Sequence, residues 1–218
     1  LGAHSEWAPP CYHFRMPYWK HMGVFLKYFE RLSYLMSQGH HVCDIAIIYP
    51  VAPYEAELNG DAARDVAFEI GRKLFESGIN FDFIDHQSVE RAVVTDGRLV
   101  VENAGASYKA LIFPNMEATR WSSLEKAAAF AEAGGMVLSV GVLPSVTDRA
   151  GRNDPDVAAL SHRAFRPEYR IARADEILPI LGSAFTPDFQ GLEKHVRAMH
   201  RRIGPRDVYM VMDAAPGS

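Results

Sequence analysis

The chain is poor in the features that announce a cofactor enzyme or a membrane protein. Its two cysteines, Cys11 and Cys43, lack metal-ligand spacing and define neither a disulfide nor a redox compartment. No residue set is assigned to a metal. The turn after the first strand-like run, "YPVAPYEAELNGD", holds a lone glycine, Gly60. That excludes a dinucleotide-binding fingerprint and a phosphate-binding loop there. The apolar run from Val42 to Tyr54 is short and carries Asp44, so it is no transmembrane candidate. No charged-apolar-small leader pattern opens the chain. The formal net charge is −4 and the nearest basic cluster is His200-Arg201-Arg202, which argues against a nucleic-acid surface. Neither nucleic acid nor membrane is expected as a partner.

What is present is an ordinary globular composition. At 218 residues, 48% hydrophobic and 23% charged, the chain can bury one good core with an extra piece. Lys20 to Gln38 repeats apolar residues at helical spacing, and Gly39 follows as a left-handed stop. "HVCDIAIIYP" reads as a buried parallel strand stopped by Pro50. A loop leads to a helix over Ala62–Ser77 with Asp61 as N-cap. Phe81–His86 reads as a second strand, with Phe81, Phe83 and Ile84 turned inward. Val93–Ala104 reads as a hairpin turning at Asp96-Gly97. Ala110–Asn115 is a third strand, Ser122–Ala133 a helix, and Met136–Gly141 a fourth strand. Val142–Tyr169, rich in Pro, Asp, Arg and Asn, reads as a long loop. A short helix over Asp175–Leu181 precedes two strands joined at Gly204-Pro205. Alternating strands and helices imply an α/β fold, a parallel flavodoxin-like sheet covered on both faces.

Most chemistry-bearing residues have plain structural explanations. No G-x-S-x-G elbow surrounds Ser145. A hydrolase pairing Ser145 with His86 or His162 is the weakest reading. Cys43 lies at the wrong end of its strand for a nucleophile and reads as a small apolar residue. Asp82, Asp85 and His86 at the end of the second strand could form a polar site, but alternation leaves Asp85 and His86 as loop polar groups, and a structural role is favoured. His40 and His41 are explained by a helix C-terminus, and His195 and His200 as surface or interdomain groups. The exception is "EWAPPCYHFRMPYW", residues 6–19, with two Trp, two Tyr, Phe14, His13, Arg15 and three Pro. Such rings stack on sugar faces while their polar atoms bond hydroxyls, and the prolines stiffen the loop. Glu6 is its single carboxylate.

"W-x-P-P-C-Y-H-F-x-M-P-Y-W", then "Y-F-E-R-L-S-Y-L-M-S-Q-G-x-x-V-x-D-I-A-I-I-Y-P", and the ending "H-R-R-I-G-P-R-D-V-Y-M-V-M-D" resemble large bacterial glycoside hydrolases, the α-L-rhamnosidases of family 106. The resemblance implies an internal fragment of a longer enzyme. Residues 1–40 would be the last loop and helix of a catalytic (β/α)₈ barrel. Residues 41–194 would be a glutaminase-like α/β domain without its nucleophile. Residues 195–218 would lead into a β-sandwich. It further implies catalytic carboxylates on barrel strands before Leu1, matched to no residue of this sequence. Trp7, His13, Arg15, Tyr18 and Trp19 would contact the sugar, with His4 and Tyr12 as second choices. No cofactor is expected in the fragment; calcium is expected in the wider enzyme. A rhamnose-containing glycan and the rest of the polypeptide would be the partners, in the bacterial periplasm or outside the cell. The alternative is a stand-alone, non-catalytic α/β scaffold or interaction domain.

Overall fold

The computed structural model describes residues 14–182, 184, 185, 187, 189 and 195–213. The chain divides into two units between Gly39 and His40. In the first, Trp19–His21 forms a 3₁₀ turn and α1 runs over Met22–Ser37. Gly39 takes φ +59°, the left-handed stop its position predicts. Val24, Phe25, Leu26, Tyr28, Phe29 and Tyr34 on this helix are exposed.

The second unit begins with β1 (His40–His41) and β2 (Ile45–Ile48), then α2 (Val51–Glu55) and α3 (Gly60–Glu76). Next come β3 (Asp82–Ile84), α4 (His86–Arg91), β4 (Val93–Thr95), β5 (Arg98–Val101) and β6 (Ala106–Tyr108). β7 (Ala110–Pro114), β8 (Ala118–Thr119), α5 (Trp121–Glu132), β9 (Met136–Val140) and β10 (Val146–Thr147) follow. The unit closes with α6 (Pro155–Ala164), β11 (Arg170–Ile171), α7 (Ile177–Gly182), β12 (Val196–Ile203) and β13 (Arg206–Asp213).

The main sheet has five strands in the order β11-β9-β7-β2-β3, every neighbour parallel. All residues of β2 and β7 are buried, as continuous apolar strands in the middle of a doubly covered sheet should be. Alternation then sorts the side chains. Ile45, Ile47 and Ile112 face Ala67, Ile70 and Leu74 of α3 and Ile177 and Leu181 of α7. Ala46, Ile48, Leu111 and Phe113 join Leu124, Ala127 and Phe130 of α5 and Leu160 of α6 in the opposite layer. The result is a three-layer α/β unit.

Four readings are corrected. Val142–Tyr169 is no long loop: it contains β10 and α6, the helix opened by Asp154, whose carboxylate accepts the Asp156 N–H at 3.0 Å, with Pro155 at its first position. Asp61 does not cap α3; the N-cap is Asn59, and Asp61 instead bonds Tyr54 and Arg64. The segment after β2 holds a short helix. Phe83 is not turned inward but exposed, since β3 is an edge strand, and it packs edge-on against Tyr49, Phe68 and Phe81.

The hairpin β4–β5 turns at Asp96 and Gly97, with φ +49° and +68°, as the Asp-Gly pair predicts. β6 adds a third strand to it. β12 and β13 form a long antiparallel ribbon, and β1 pairs with β12 through His40↔Arg202 and His41↔Arg201. His40 and His41 therefore belong to a strand rather than a helix end. His200 is not a surface group: it is 5% exposed, stacks on Tyr209 at 4.4 Å and lies 2.7 Å from Asp207 Oδ1. Among the described residues no helix is long and apolar enough to cross a membrane.

Candidate functional site

The strand order reverses direction between β2 and β7, so the crevice beyond their carboxyl ends is where an open α/β sheet builds a site. The segments leaving β2, β7 and β9 converge there. α2 brings Glu55, β8 brings Thr119 followed by Arg120, and β10 brings Thr147 followed by Asp148. They line a cleft of about 390 Å³, large enough for a small polar ligand. β8 and β10 pair in parallel, Ala118 with Val146 and Thr119 with Thr147, which holds one wall in register.

Arg120 organises the charges. Its Nη2 donates to Glu55 Oε2 at 2.7 Å and its Nη1 to Asp148 Oδ2 at 3.2 Å. Asp148 Oδ1 accepts the Trp121 N–H at 2.8 Å. Burial works against the Asp148 carboxylate, but the Trp121 N–H and Arg120 outweigh it and hold its pKa below the usual value. Thr119 and Thr147 are each 3% exposed. Thr147 Oγ1 and Arg120 Nε are buried without a protein partner, an uncommon state for such atoms. The cleft thus offers donors and carboxylate acceptors side by side, a pattern suited to hydroxyl groups.

Neither serine nor cysteine is among the described residues that line it. Where β7 leaves the sheet, the turn carries Asn115 at φ +49°. Its N–H donates to Val140 O at 2.6 Å. Its carbonyl accepts from Asn59 Nδ2 at 2.7 Å and its Oδ1 from the Val142 N–H at 3.1 Å. A strained turn of this kind could present a catalytic side chain, but this one holds an amide whose oxygen accepts a backbone N–H. Ser145 and His162 do line one cleft, of about 380 Å³. Arg170 Nη2, a donor only, lies 3.1 Å from His162 Nδ1. His162 then keeps its proton on Nε2 and has no lone pair left to activate a hydroxyl. His86 opens α4 after β3.

Asp82, Asp85 and His86 do not share one place. Asp85 caps α4, accepting the Ser88 N–H at 2.8 Å. Asp82 starts β3 at the opposite edge of the sheet and meets His41, Cys43 and Tyr108. Cys43 is therefore no plain apolar residue. Its thiol lies 3.1 Å from Asp82 Oδ2; burial, then the Asp82 charge, push its pKa far up. Sequence order hid this group because its members lie about 40 positions apart.

Of the residues assigned to sugar contact, His4, Trp7, Tyr12 and His13 lie outside the described residues, as do Glu6 and Cys11. Arg15, Tyr18 and Trp19 fall together at the entry to the 3₁₀ turn, all exposed, Trp19 at 44%. The Arg15 guanidinium stands 5.6 Å from the centre of the Phe14 ring. None of the three faces a sealed interior. Calcium is expected of the wider enzyme and not of this chain. Among the described residues the single cluster of at least three His, Cys, Asp or Glu ligands is His41, Cys43 and Asp82, and calcium takes oxygen ligands.

A search of the curated proteins found no match. A family model described as alpha-L-rhamnosidase matches residues 11–216, nearly the whole chain. With that match spanning both units and the α/β sheet between its ends, the chain belongs to the α-L-rhamnosidase family, glycoside hydrolase family 106.

Proposed function

We propose that this chain serves an α-L-rhamnosidase-like glycoside hydrolase as part of its sugar pocket and as a non-catalytic scaffold. Residues 1–40 end a catalytic barrel, and their rings form one wall of the pocket. The α/β unit is a glutaminase-like scaffold that has lost its nucleophile, and β12 and β13 lead towards a β-sandwich. The acid and base that cleave the glycosidic bond, a pair of carboxylates, then come from barrel strands outside this chain. The observation that carries the reading is Asn115. In a chain of this family, the turn best placed for a nucleophile holds an amide whose oxygen accepts the Val142 N–H. The exposed apolar side chains of α1 agree with a helix made to be covered by a barrel. On this reading a rhamnose-containing glycan is the substrate.

The test uses the polypeptide that joins this chain to its barrel. Trp7→Ala, His13→Ala or Trp19→Ala is expected to lower kcat/KM on aryl α-L-rhamnosides by roughly tenfold or more. Ser145→Ala and Asn115→Asp should leave kcat within about twofold. Unchanged kcat/KM in all three ring variants would remove the pocket assignment. A large loss of kcat in Ser145→Ala, with the fold intact, would make the α/β unit catalytic.

A further inference from the structure

At the amino edge of the main sheet, remote from the carboxyl-edge cleft, three chemically different ligand groups meet. His41 ends β1, Cys43 sits in the link to β2, and Asp82 begins β3, in register with Ala46. His41 Nδ1 lies 2.8 Å from Asp82 Oδ1 and Cys43 Sγ 3.1 Å from Asp82 Oδ2. One ligand atom from each residue falls within 4.8 Å of the others. We propose that His41, Cys43 and Asp82 bind a zinc-class dication that staples the β1–β2 link to β3.

The geometry needs little adjustment. Metal distances of about 2.0 Å to nitrogen and oxygen and about 2.3 Å to sulfur put tetrahedral ligands about 3.3–3.5 Å apart. His41 meets Asp82 at Oδ1 and Cys43 meets it at Oδ2, so a single ligating oxygen keeps one of these edges within a few tenths of an ångström, and the remaining edges, all within 4.8 Å, close by side-chain torsions. The imidazole is oriented for the task. Its Nε2 points to Asn80 Oδ1 at 3.5 Å. A proton there leaves the Nδ1 lone pair facing Cys43 and Asp82, the outer-sphere arrangement that orients metal-binding histidines.

There is also space for a water on the Cys43 side of the group. A cavity of about 60 Å³ opens beside Cys43 and Asn80, more than one water needs. Asn80 Nδ2 is buried with no protein partner and can donate to the oxygen of a metal-bound water. Asp44 is not available as a fourth ligand, because Arg98 and Lys109 hold it at 2.7 and 2.8 Å. Tyr108 Oη donates to Asp82 Oδ2 at 2.9 Å and anchors the carboxylate from behind.

The donor set selects the ion. A thiolate with an imidazole and one carboxylate suits zinc and cobalt and does not suit calcium or magnesium. Without a metal, protons on the thiol, the phenol and the ring satisfy Asp82. Binding replaces the thiol proton by a metal–sulfur bond, with the electron pair staying on sulfur and the proton released to solvent; the ring proton likewise leaves Nδ1 to solvent while Nε2, facing Asn80 Oδ1, carries one, which frees the Nδ1 lone pair for the metal. The dication neutralises the carboxylate charge that otherwise opposes a thiolate. This inference is independent of the hydrolase reading.

The experiment is a titration of the reduced full chain with cobalt(II) alone, followed by zinc(II). A thiolate-to-cobalt charge-transfer band in the near ultraviolet should appear, with intense visible bands of a tetrahedral ion. Both should saturate at a single ion per chain and disappear when zinc displaces it. Cys11→Ser should retain the band and Cys43→Ser should lose it. Asp82→Asn, which keeps an oxygen towards the cluster, should weaken binding by roughly tenfold or more. Absence of the charge-transfer band at a large excess of cobalt overturns the proposal. So does its survival in Cys43→Ser or its loss in Cys11→Ser. If Cys43→Ser does not fold, the spectra of the unaltered chain and of Cys11→Ser decide.

Discussion

Asn115 and Gly141 show how closely two residues can be made for each other. β7 and β9 leave the sheet side by side, and both turns use the left-handed region, at φ +49° and +76°. A Cβ on Gly141 would run into the Asn115 side-chain amide, the group that accepts the Val142 N–H. Gly141→Ala should therefore cost about 2 kcal/mol or more, from backbone strain and a displaced acceptor. Urea unfolding measures it; a variant as stable as the parent would show that the turn relaxes freely. The glycine after "MVLSV" is readable as a strand end. The tie between two turns 26 positions apart in the chain is not, because it depends on β7 and β9 being neighbours. His200 makes the same point. Its place in an Arg-rich segment suggests exposure, yet pairing across the β12–β13 ribbon places it on Tyr209 and beside Asp207.

At the scale of elements, length and period governed legibility. β2, β7, β9, α3 and α5 carry enough apolar residues at one spacing to be recognised without partners. β8, β10 and β11 have two residues each, too few for any period, and exist because a neighbour completes their hydrogen bonds. α6 is a different case. Its signal, Asp154 as cap and Pro155 at the first helical position, was present but submerged among polar residues. The turn after α6 is pinned by Phe165, which is fully buried and meets Phe113 edge-on at 5.0 Å between ring centres. Phe165→Ala is expected to cost about 3–5 kcal/mol, read as a lower urea midpoint. A cost like that of a surface substitution would mean that α6 is not part of the cooperative core.

At the scale of the α/β unit, half-buried carboxylates tie separate elements together and make stability depend on acid. Burial opposes ionisation of Asp44, but Lys109 and Arg98 outweigh it; burial opposes ionisation of Asp82, but His41, Cys43 and Tyr108 outweigh it. Both carboxyls are held below their ordinary value of 3.8. A depressed folded-state pKa contributes stability that is complete above the unfolded value and lost as pH falls through the folded one. The urea midpoint should therefore fall as pH drops below about 4, and Asp44→Asn should make that fall shallower. An equally steep fall in Asp44→Asn would remove Asp44 from the account.

The sequence alone determined the class of the fold and the resemblance of the chain. Apolar period and turn residues are local properties, and they sufficed for a parallel α/β sheet. The carboxyl-edge cleft and the His41–Cys43–Asp82 group were decided by the tertiary structure. Both depend on which strands lie side by side, and that follows from how the two faces of the sheet are buried, not from the spacing of residues along the chain.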